Sequence, residues 1–168
     1  MIDTCHVRSA HRDDLPMLLS WRNHPNVRSF MFSQHEIGLD EHAAWFAKAS
    51  QDTTRSLLVI EDRNRPLGYV QFANVEPGGI ADWGFYTRPD APRGSGRRLG
   101  SAALDHAFTV LGLHKVCGQA IASNAASIAL HQKLQFVQEG VLRDQQRIEG
   151  TYHSLVCFGL LKYEWYGG

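Results

Sequence analysis

Hydrophobic and polar positions along the chain follow two periods, one typical of helices and one typical of strands. The helical period is clearest in Leu39–Ala49, where His42, Trp45, Phe46 and Ala49 recur at positions i, i+3, i+4 and i+7. Short runs rich in Val, Ile and Leu, bounded by Gly, Pro and Asn, indicate strands between the helical segments. The pattern therefore predicts a mixed α/β protein.

The order of the elements predicts one mixed sheet flanked by helices, in a single domain over residues 1–168. The predicted strands are Cys5–Ser9, Ser56–Glu61, Leu67–Val75, Ile80–Tyr86, Lys115–Ile121, Phe136–Arg147 and Thr151–Leu161. The predicted helical segments are Asp13–Trp21, Val27–Phe32, Leu39–Ala49, a helix after the loop Thr87–Ser95 with Ala103, Leu104, Ala107, Phe108 and Leu111 on one face, and Asn124–Gln135.

Composition narrows the classes of partner. The chain has 168 residues, of which 43% are hydrophobic and 20% charged, as in ordinary globular domains. Lys and Arg together number 17, equal to Asp and Glu, so no overall charge favours nucleic acid or a membrane surface. Nine histidines raise the question of a metal site, but no HExxH or other dense ligand spacing is present. We expect no metal, nucleic acid or membrane partner.

The sequence also indicates a compartment. The three cysteines Cys5, Cys117 and Cys157 lie far apart without CxxC spacing, which is typical of reduced thiols in the cytosol. The N-terminal residues show no basic stretch followed by an apolar run, so we expect no signal peptide. No apolar run approaches the about 18 residues of a membrane span. We therefore expect a cytoplasmic protein.

The segment Arg93–Ser101 has the composition of a phosphate-binding loop that leads into a helix. Glycines allow close approach of backbone N–H groups, and a helix N-terminus favours an anion. Arg97 and Arg98 in the first helical turn oppose the helix dipole unless a polyphosphate binds there. A flexible surface loop with solvated arginines is the alternative. GxxxxGK[ST] is absent, and the spacing of Gly94, Gly96 and Gly100 departs from the dinucleotide fingerprint.

This loop resembles the pyrophosphate motif Q/R-x-x-G-x-G/A of the GCN5-related N-acetyltransferase (GNAT) superfamily. Two registers are possible, one beginning at Arg93 and one at Arg97. Downstream, Asn124-x-x-Ser127-x-x-x-His131 resembles the helix that lies beside the pantetheine arm in that superfamily, with His131 at the usual Tyr and Gln135 at the usual Gly. The resemblance implies a GNAT fold, acetyl-CoA as cosubstrate, and coenzyme A contacts from Phe85, Tyr86, Thr87, Arg93, Gly94, Ser95, Gly96, Arg97, Arg98, Leu99, Gly100, Ser101, Asn124, Ser127 and His131.

Further segments resemble the sugar acetyltransferases of pseudaminic acid biosynthesis. They include Trp21-Arg22-Asn23-His24-Pro25, Trp83-Gly84-Phe85-Tyr86 and Leu113-His114-Lys115. Those enzymes acetylate the 4-amine of UDP-4-amino-4,6-dideoxy-N-acetyl-altrosamine. The resemblance implies a nucleotide-sugar acceptor, with substrate contacts from Trp21, Arg22, Asn23, Arg28, Met31, Gln34, Trp83, Tyr152 and His153.

Two other functions stay open at this point. RimJ/RimL-type acetyltransferases share the Trp-Arg-Asn motif, so a protein N-terminus or a small-molecule amine is an alternative acceptor. The departures at His131 and Gln135 also allow a coenzyme A-binding sensor without catalytic activity. A homodimer is possible, although no motif requires one.

The candidate catalytic residues are His131 and Tyr86. His131 stands where the family usually has a Tyr, and an imidazole can protonate a leaving thiolate. Its spacing from Ile128 and Leu134 also fits a core histidine whose hydrogen bonds are satisfied. Tyr86 can donate a hydrogen bond at the strand before the phosphate loop or simply pack. No side chain is assigned as general base, since a chain of water molecules can deprotonate the ammonium.

Overall fold

The computed structural model describes residues 5–167. Residues 1–4, which begin the stretch where no signal peptide is expected, and residue 168 lie outside the described residues. The strands are β1 His6–Ser9, β2 Ser56–Asp62, β3 Arg65–Ala73, β4 Ile80–Thr87, β5 Lys115–Ile121, β6 Val137–Ile148 and β7 Thr151–Leu161. The helices are α1 Leu15–Asn23, α2 Pro25–Arg28, α3 Leu39–Ala49, α4 Ser95–Thr109, α5 Ala125–Lys133 and α6 Lys162–Gly167, with a short 3₁₀ turn at Arg12–Asp14.

The strands form one sheet in the order β1-β2-β3-β4-β5-β7-β6. Every neighbouring pair is antiparallel except β4 and β5, which are parallel. The parallel pairing covers only Ile80–Asp82 against Lys115–Cys117. Beyond Asp82, β4 continues to Thr87 paired with β3 alone, so the middle of the sheet opens into a wedge. The predicted class, a mostly antiparallel mixed sheet flanked by helices, is confirmed.

Apolar side chains are buried on both faces of the sheet. On one face, Leu99, Leu104 and Phe108 of α4 are fully buried against the strands. On the other face, Leu18 of α1 and Phe46 of α3 belong to a second buried cluster. The sheet therefore lies between two layers of helices. The wedge, which is part of the sheet, lies between these two layers. Within residues 5–167, no helix combines the length and apolarity needed to cross a membrane.

Several predicted boundaries agree with the structure and others differ for identifiable reasons. Leu39–Ala49, Lys115–Ile121 and Thr151–Leu161 are reproduced. The predicted helix over Asp13–Trp21 is divided into the 3₁₀ turn and α1, because the Asp14 carboxylate caps the backbone N–H of His11 at 2.7 Å. The predicted segment Val27–Phe32 is replaced by α2, which ends at Arg28.

The helix predicted over Asn124–Gln135 ends at Lys133, because Gln135 adopts a left-handed backbone with φ of 69°. This conformation costs a residue with a Cβ about 1 kcal/mol relative to glycine. We therefore expect Gln135→Gly to raise the free energy of unfolding by about 1 kcal/mol, measured by urea denaturation. Gln132→Gly, inside the same helix, is the matched control and should lower it by about 1 kcal/mol. Equal losses from both variants would contradict the prediction.

Candidate active site

A cleft of about 920 Å³ occupies the wedge between β4 and β5. One wall is the diverging part of β4, and the opposite wall is the end of β5. The start of α4 and one side of α5 close its ends, and residues 26–33 cover its mouth. Its lining residues from the strands are Gln71, Ala73, Asp82, Trp83, Gly84, Phe85, Tyr86, Thr87, Cys117, Gly118, Gln119, Ala120 and Ile121.

The backbone of β4 supplies hydrogen-bond donors to the cleft. The N–H of Arg88 donates to the carbonyl of Leu67 at 2.8 Å, so alternate backbone groups of β4 face β3. The intervening groups at Phe85 and Thr87 face the wedge, beyond the last pair with β5. A ligand carbonyl in the cleft can accept hydrogen bonds from these N–H groups.

The N-terminus of α4 forms an anion site at one end of the cleft. Gly94 precedes the helix with φ of 90°, a conformation that favours glycine. The N–H of Ser95 donates to Pro92 O at 3.1 Å, and the N–H of Arg98 donates to Gly94 O at 3.3 Å. The N–H groups of Gly96 and Arg97 lie between these two and have no helical acceptor. They are therefore positioned to bind a phosphate oxygen.

The arginines around this site have two different roles. Arg98 forms a two-point ion pair with Asp62, with Nη2 and Oδ1 2.6 Å apart, and this holds the pKa of Asp62 below its usual value. Arg88 donates to Pro66 O at 3.3 Å and pairs with Asp90. Arg93 and Arg97 are exposed, and no carboxylate within residues 5–167 pairs with them. Phosphate binding by these two guanidinium groups stays a prediction.

Both ring nitrogens of His131 are hydrogen-bonded. Its exposed fraction is 1%, and its ring stacks on Phe158 with centroids 4.6 Å apart. Nδ1 lies 2.8 Å from the carbonyl of Ser127, which can only accept, so Nδ1 carries the proton. Nε2 accepts a hydrogen bond from the Trp83 indole N–H at 3.1 Å. Burial lowers the pKa of His131, and the ring is neutral with both nitrogens bonded.

A side pocket of about 280 Å³ adjoins the cleft on the face of α1 and α3. Its lining residues are Arg22, Met31, Ile37, Glu41, His42, Trp45, Tyr69, Gln71, Gly84, Phe85 and Tyr86. Nη2 of Arg22 donates to Ser33 O at 2.7 Å, while Nη1 is buried without a hydrogen-bond partner among residues 5–167. Burial lowers the pKa of Arg22, and Glu41 is bonded by His35 at 2.8 Å. The side pocket thus has aromatic walls and contains the Arg22 guanidinium, whose Nη1 has no hydrogen-bond partner among residues 5–167.

Comparison with known proteins shows to which family a chain with this site belongs. The family profile described as acetyltransferase (GNAT) domain matches residues 6–137. The chain belongs to the GNAT acetyltransferase family. This confirms the resemblance on which the phosphate loop and the acetyl-CoA assignment were based. The protein is an acetyl-CoA-dependent N-acetyltransferase, and the anion site and the donors of β4 fit that cosubstrate.

Relatives of this GNAT protein include two differently named acetyltransferases. Spermidine N(1)-acetyltransferase of Vibrio cholerae is 28% identical over 152 residues, covering 89% of this chain and 88% of that protein. Acetyltransferase PseH of Campylobacter jejuni is 23% identical over 136 residues, covering 81% of this chain and 85% of that protein. The crystal structure of the V. cholerae spermidine N-acetyltransferase in complex with CoA and spermine matches with a TM-score of 0.89 at 25% identity, covering 97% of this chain and 98% of that chain.

The structure distinguishes the two registers of the GNAT pyrophosphate motif. Gly94, Ser95 and Gly96 line the cleft, which favours the register that begins at Arg93. Leu99 is fully buried in the core, and a Cβ on Gly100 would lie 2.5 Å from a methyl carbon of Leu134. Ser101 follows further along the helix and does not line the cleft. Leu99 and Gly100 thus pack in the core and Arg98 pairs with Asp62. The coenzyme A contacts of Arg98, Leu99, Gly100 and Ser101 stay predictions.

The contacts of His131 favour the core alternative over the predicted acid. Its one N–H is bonded to a backbone carbonyl, so no proton faces a leaving sulfur. Trp83, predicted to contact substrate, is only 8% exposed and gives its indole N–H to His131. Both rings form part of the cleft wall, and together they join β4 to α5.

Tyr86 lies between the cleft and the side pocket. Its hydroxyl is 3.4 Å from the carbonyl of Leu18, and its ring centroid is 5.3 Å from that of Tyr69. Burial raises the pKa of Tyr86, so the hydroxyl keeps its proton. A catalytic role for Tyr86 stays a prediction.

The other predicted acceptor residues fall into two groups. Asn23 is used structurally, because its amide donates to Ile37 O and accepts from Ile37 N, both at 2.8 Å. Arg28 faces Glu36 at 3.7 Å. Gln34 and His153 line a third cavity of about 340 Å³ beside the cleft, and Met31 lines the cleft itself. Asn23 and Arg28 line none of the three cavities, and neither do Trp21, which packs on the α1–α3 cluster, and Tyr152, which is 59% exposed.

Sequence reasoning missed polar residues that the strands bring into the cleft. Asp82, Cys117 and Gln119 line it, although none of them is among the predicted site residues. One signal was available: strand alternation places Asp82 on the same face as Gly84 and Tyr86. Within residues 5–167, no three His, Cys, Asp or Glu side chains are grouped closely enough to hold a metal ion.

Proposed function

We propose that the acceptor is the amine of a UDP-linked 4-amino-4,6-dideoxy sugar, as in pseudaminic acid biosynthesis. The observation that carries this proposal is Arg22. Its guanidinium lies in the wall shared by the cleft and the side pocket, and Nη1 is buried without a partner among residues 5–167. An unpaired buried donor of this kind costs about 1–3 kcal/mol, which a bound anion would recover. The N–H groups of an arginine guanidinium can form paired hydrogen bonds with phosphate oxygens, so a nucleotide diphosphate suits the site.

Spermidine is the second candidate, because the V. cholerae relative that is 28% identical is a spermidine N-acetyltransferase. A polyamine carries several positive charges and would need carboxylates along its length. Among the described residues that line the cleft and the side pocket, the carboxylates are Asp82 and Glu41, and Glu41 is already bonded to His35. The Arg22 guanidinium would repel a polyamine in the same space. The charges therefore favour the anionic acceptor.

The proposed roles of the chain in the reaction follow from the cleft. The N–H groups of Gly96 and Arg97 and the side chains of Arg93 and Arg97 hold the pyrophosphate of acetyl-CoA. That cosubstrate supplies the acetyl group as a thioester. The N–H of Phe85 stabilises the charge that develops on the thioester oxygen, a contribution of about 3–4 kcal/mol for a well-placed donor. Much of the remaining rate comes from holding the amine against the carbonyl. A cytoplasmic location and a homodimer stay predictions.

The experiment is a thiol-release assay with acetyl-CoA and three kinds of acceptor. They are UDP-4-amino-4,6-dideoxy-N-acetyl-altrosamine, spermidine, and peptides with free N-termini. We expect kcat/KM for the amino sugar to exceed that for spermidine at least about 10-fold, a difference of about 1.4 kcal/mol. Faster release with spermidine or with peptides would overturn the sugar assignment. Tight acetyl-CoA binding without release from any acceptor would instead support a sensor.

Arg22→Gln tests the acceptor assignment directly. The change replaces the guanidinium by an amide, which still donates hydrogen bonds but carries no charge, so kcat/KM for the nucleotide sugar should fall about 100-fold, about 2.7 kcal/mol. Turnover of spermidine should stay within about threefold or increase, because a repelling cation has been removed. Arg12→Gln, at an exposed arginine outside the cavities, is the control and should leave both rates unchanged. Equal losses for the two acceptors would contradict a role in binding an anion.

A further inference from the structure

Three side chains in the wall of the side pocket have hydrogen-bonding groups without a partner among residues 5–167. They are the Nη1 group of Arg22, the imidazole of His42 and the amide nitrogen of Gln71. Oε1 of Gln71 accepts the Tyr69 hydroxyl at 3.3 Å, and its Nε2 lies beside Gly84, at the end of the pocket that meets the cleft. Polar groups of this kind in an aromatic pocket fix the orientation of a ligand.

The ring of His42 is held rigidly in this wall. His42 lies on α3 and is 5% exposed, and its ring stacks on that of Trp45 with centroids 5.4 Å apart and an angle of 21° between the planes. Burial and the nearby charge of Arg22 lower the pKa of His42. The imidazole is therefore neutral and carries a single N–H.

The two ring nitrogens of His42 have different surroundings. Nδ1 is buried and has no hydrogen-bond partner among residues 5–167. Nε2 also has no partner there, but it keeps some accessible surface, and the side pocket is the cavity that His42 lines. Buried N–H groups without a partner are rarer in proteins than buried acceptors without one. The proton therefore resides on Nε2, which presents an N–H to the side pocket.

The unpartnered groups of Arg22, His42 and Gln71 are all hydrogen-bond donors. Among the described residues of the pocket wall, the one carboxylate is Glu41, which is exposed and bonded to His35 at 2.8 Å. The side pocket thus offers hydrogen bonds to oxygen acceptors of a ligand, and its aromatic walls offer contacts to apolar groups. An acetamido group has a carbonyl oxygen and a methyl group, so it matches both kinds of surface.

We infer that the side pocket binds the acetamido group at C2 of the nucleotide sugar, and that the Nε2–H of His42 donates to its carbonyl oxygen. This inference rests on the proposed function, since it concerns the same acceptor. In that sugar, C1 carries the diphosphate proposed to bind Arg22, and C2 is the adjacent carbon. Arg22 lies near enough to His42 to affect its protonation, as binding of neighbouring substituents requires. His42 is thus a residue that determines acceptor specificity.

The first test gives wild-type protein two acceptors that differ only at C2. One is UDP-4-amino-4,6-dideoxy-N-acetyl-altrosamine, and the other has a hydroxyl in place of the acetamido group. We expect kcat/KM for the acetamido sugar to be about 100-fold higher, because the shorter hydroxyl leaves the pocket donors unpaired. Equal values would overturn the inference and leave the proposed function standing. Acetylation of neither sugar would overturn both.

The second test asks whether His42 causes this preference. His42→Phe keeps a flat ring against Trp45 but removes the donor, so the preference should fall to about fivefold or less. The rate with the hydroxyl analogue should stay within about threefold of wild type. His42→Gln keeps an N–H of similar reach and should retain a preference of at least about 30-fold. His6→Phe, at an exposed histidine outside the cavities, is the control and should match wild type.

A preference that is unchanged in His42→Phe, or equal losses with the two sugars, would overturn the role of His42. The CoA dissociation constant of each variant reports whether the cleft is intact. If His42→Phe does not fold, the ¹⁵N chemical shift of His42 Nε2 in wild-type protein replaces it, with CoA bound so that no transfer occurs. The acetamido sugar should move this shift and the hydroxyl analogue should not. The same shift with both sugars would overturn the inference.

Discussion

Replacing His131 with alanine is expected to lower the free energy of unfolding by about 4 kcal/mol. The imidazole is 1% exposed and stacks on Phe158, so its removal leaves a cavity in the core. It also removes the acceptor for the buried Trp83 N–H and the donor to Ser127 O. Urea denaturation measures the loss. His114→Ala, at an exposed histidine, should change stability by less than about 0.5 kcal/mol.

Substitutions of His131 can also distinguish a role in packing from a role as general acid. His131→Gln keeps a polar side chain of similar reach and should lose less stability than the alanine variant. If His131 is structural, kcat of the glutamine variant should stay within about threefold of wild type wherever the protein is folded. A fall of about 100-fold in kcat with near-native stability would restore His131 as the acid that its family position suggests.

Gly118→Ala is expected to cost about 3 kcal/mol of stability, the upper range for overpacking a core. A Cβ at this position would lie 2.5 Å from Nε2 of His131 and 2.6 Å from Nε1 of Trp83. Both atoms belong to rigid buried rings, so neither side can move aside without breaking the hydrogen bond between them. Because Gly118 also lines the cleft, the affinity for CoA should fall together with stability.

The control for Gly118 is Gly140→Ala on β6. A Cβ there would meet nothing within 4 Å, and the backbone is not in the left-handed region. We expect its free energy of unfolding to stay within about 0.5 kcal/mol of wild type. Thermal unfolding with and without CoA measures both effects for the two variants. Wild-type stability in Gly118→Ala would show that the His131–Trp83 contact does not constrain this strand.

Local pattern was sufficient for most of the fold. Leu39–Ala49 was predictable because four apolar-face positions repeat at helical spacing, and Thr151–Leu161 because apolar residues run through the strand. α6 was missed, since its six residues present the exposed side chains of Tyr163 and Tyr166 and no apolar stripe. The end of α5 was misplaced because only the backbone of Gln135, and no feature of its side chain, shows the left-handed turn.

The parts of the candidate site that consecutive residues form were predictable from the sequence. The parts that form where distant segments meet were not. Gly94–Gly96 was identified from spacing, because a loop followed by a helix is a local arrangement. The partner of Arg98 is Asp62, 36 residues away, and the partner of His131 is Trp83, 48 residues away. Neither pairing leaves a local signal, so the sequence alone left their roles open. Asp82 reaches the cleft only because β4 and β5 diverge after it.

The three residue pairs between β4 and β5 make a narrow seam between a four-stranded and a three-stranded half of the sheet. If acetyl-CoA binds to β4, the start of α4 and the side of α5, as proposed, it links the two halves of the sheet across that seam. A ligand whose free concentration is 100 times its dissociation constant adds about 2.7 kcal/mol to the stability of a fold. Cellular proteases act on the fraction of molecules that open. The amount of this enzyme that survives in a cell would therefore follow the supply of acetyl-CoA, so that metabolic state sets the lifetime of the protein as well as its rate.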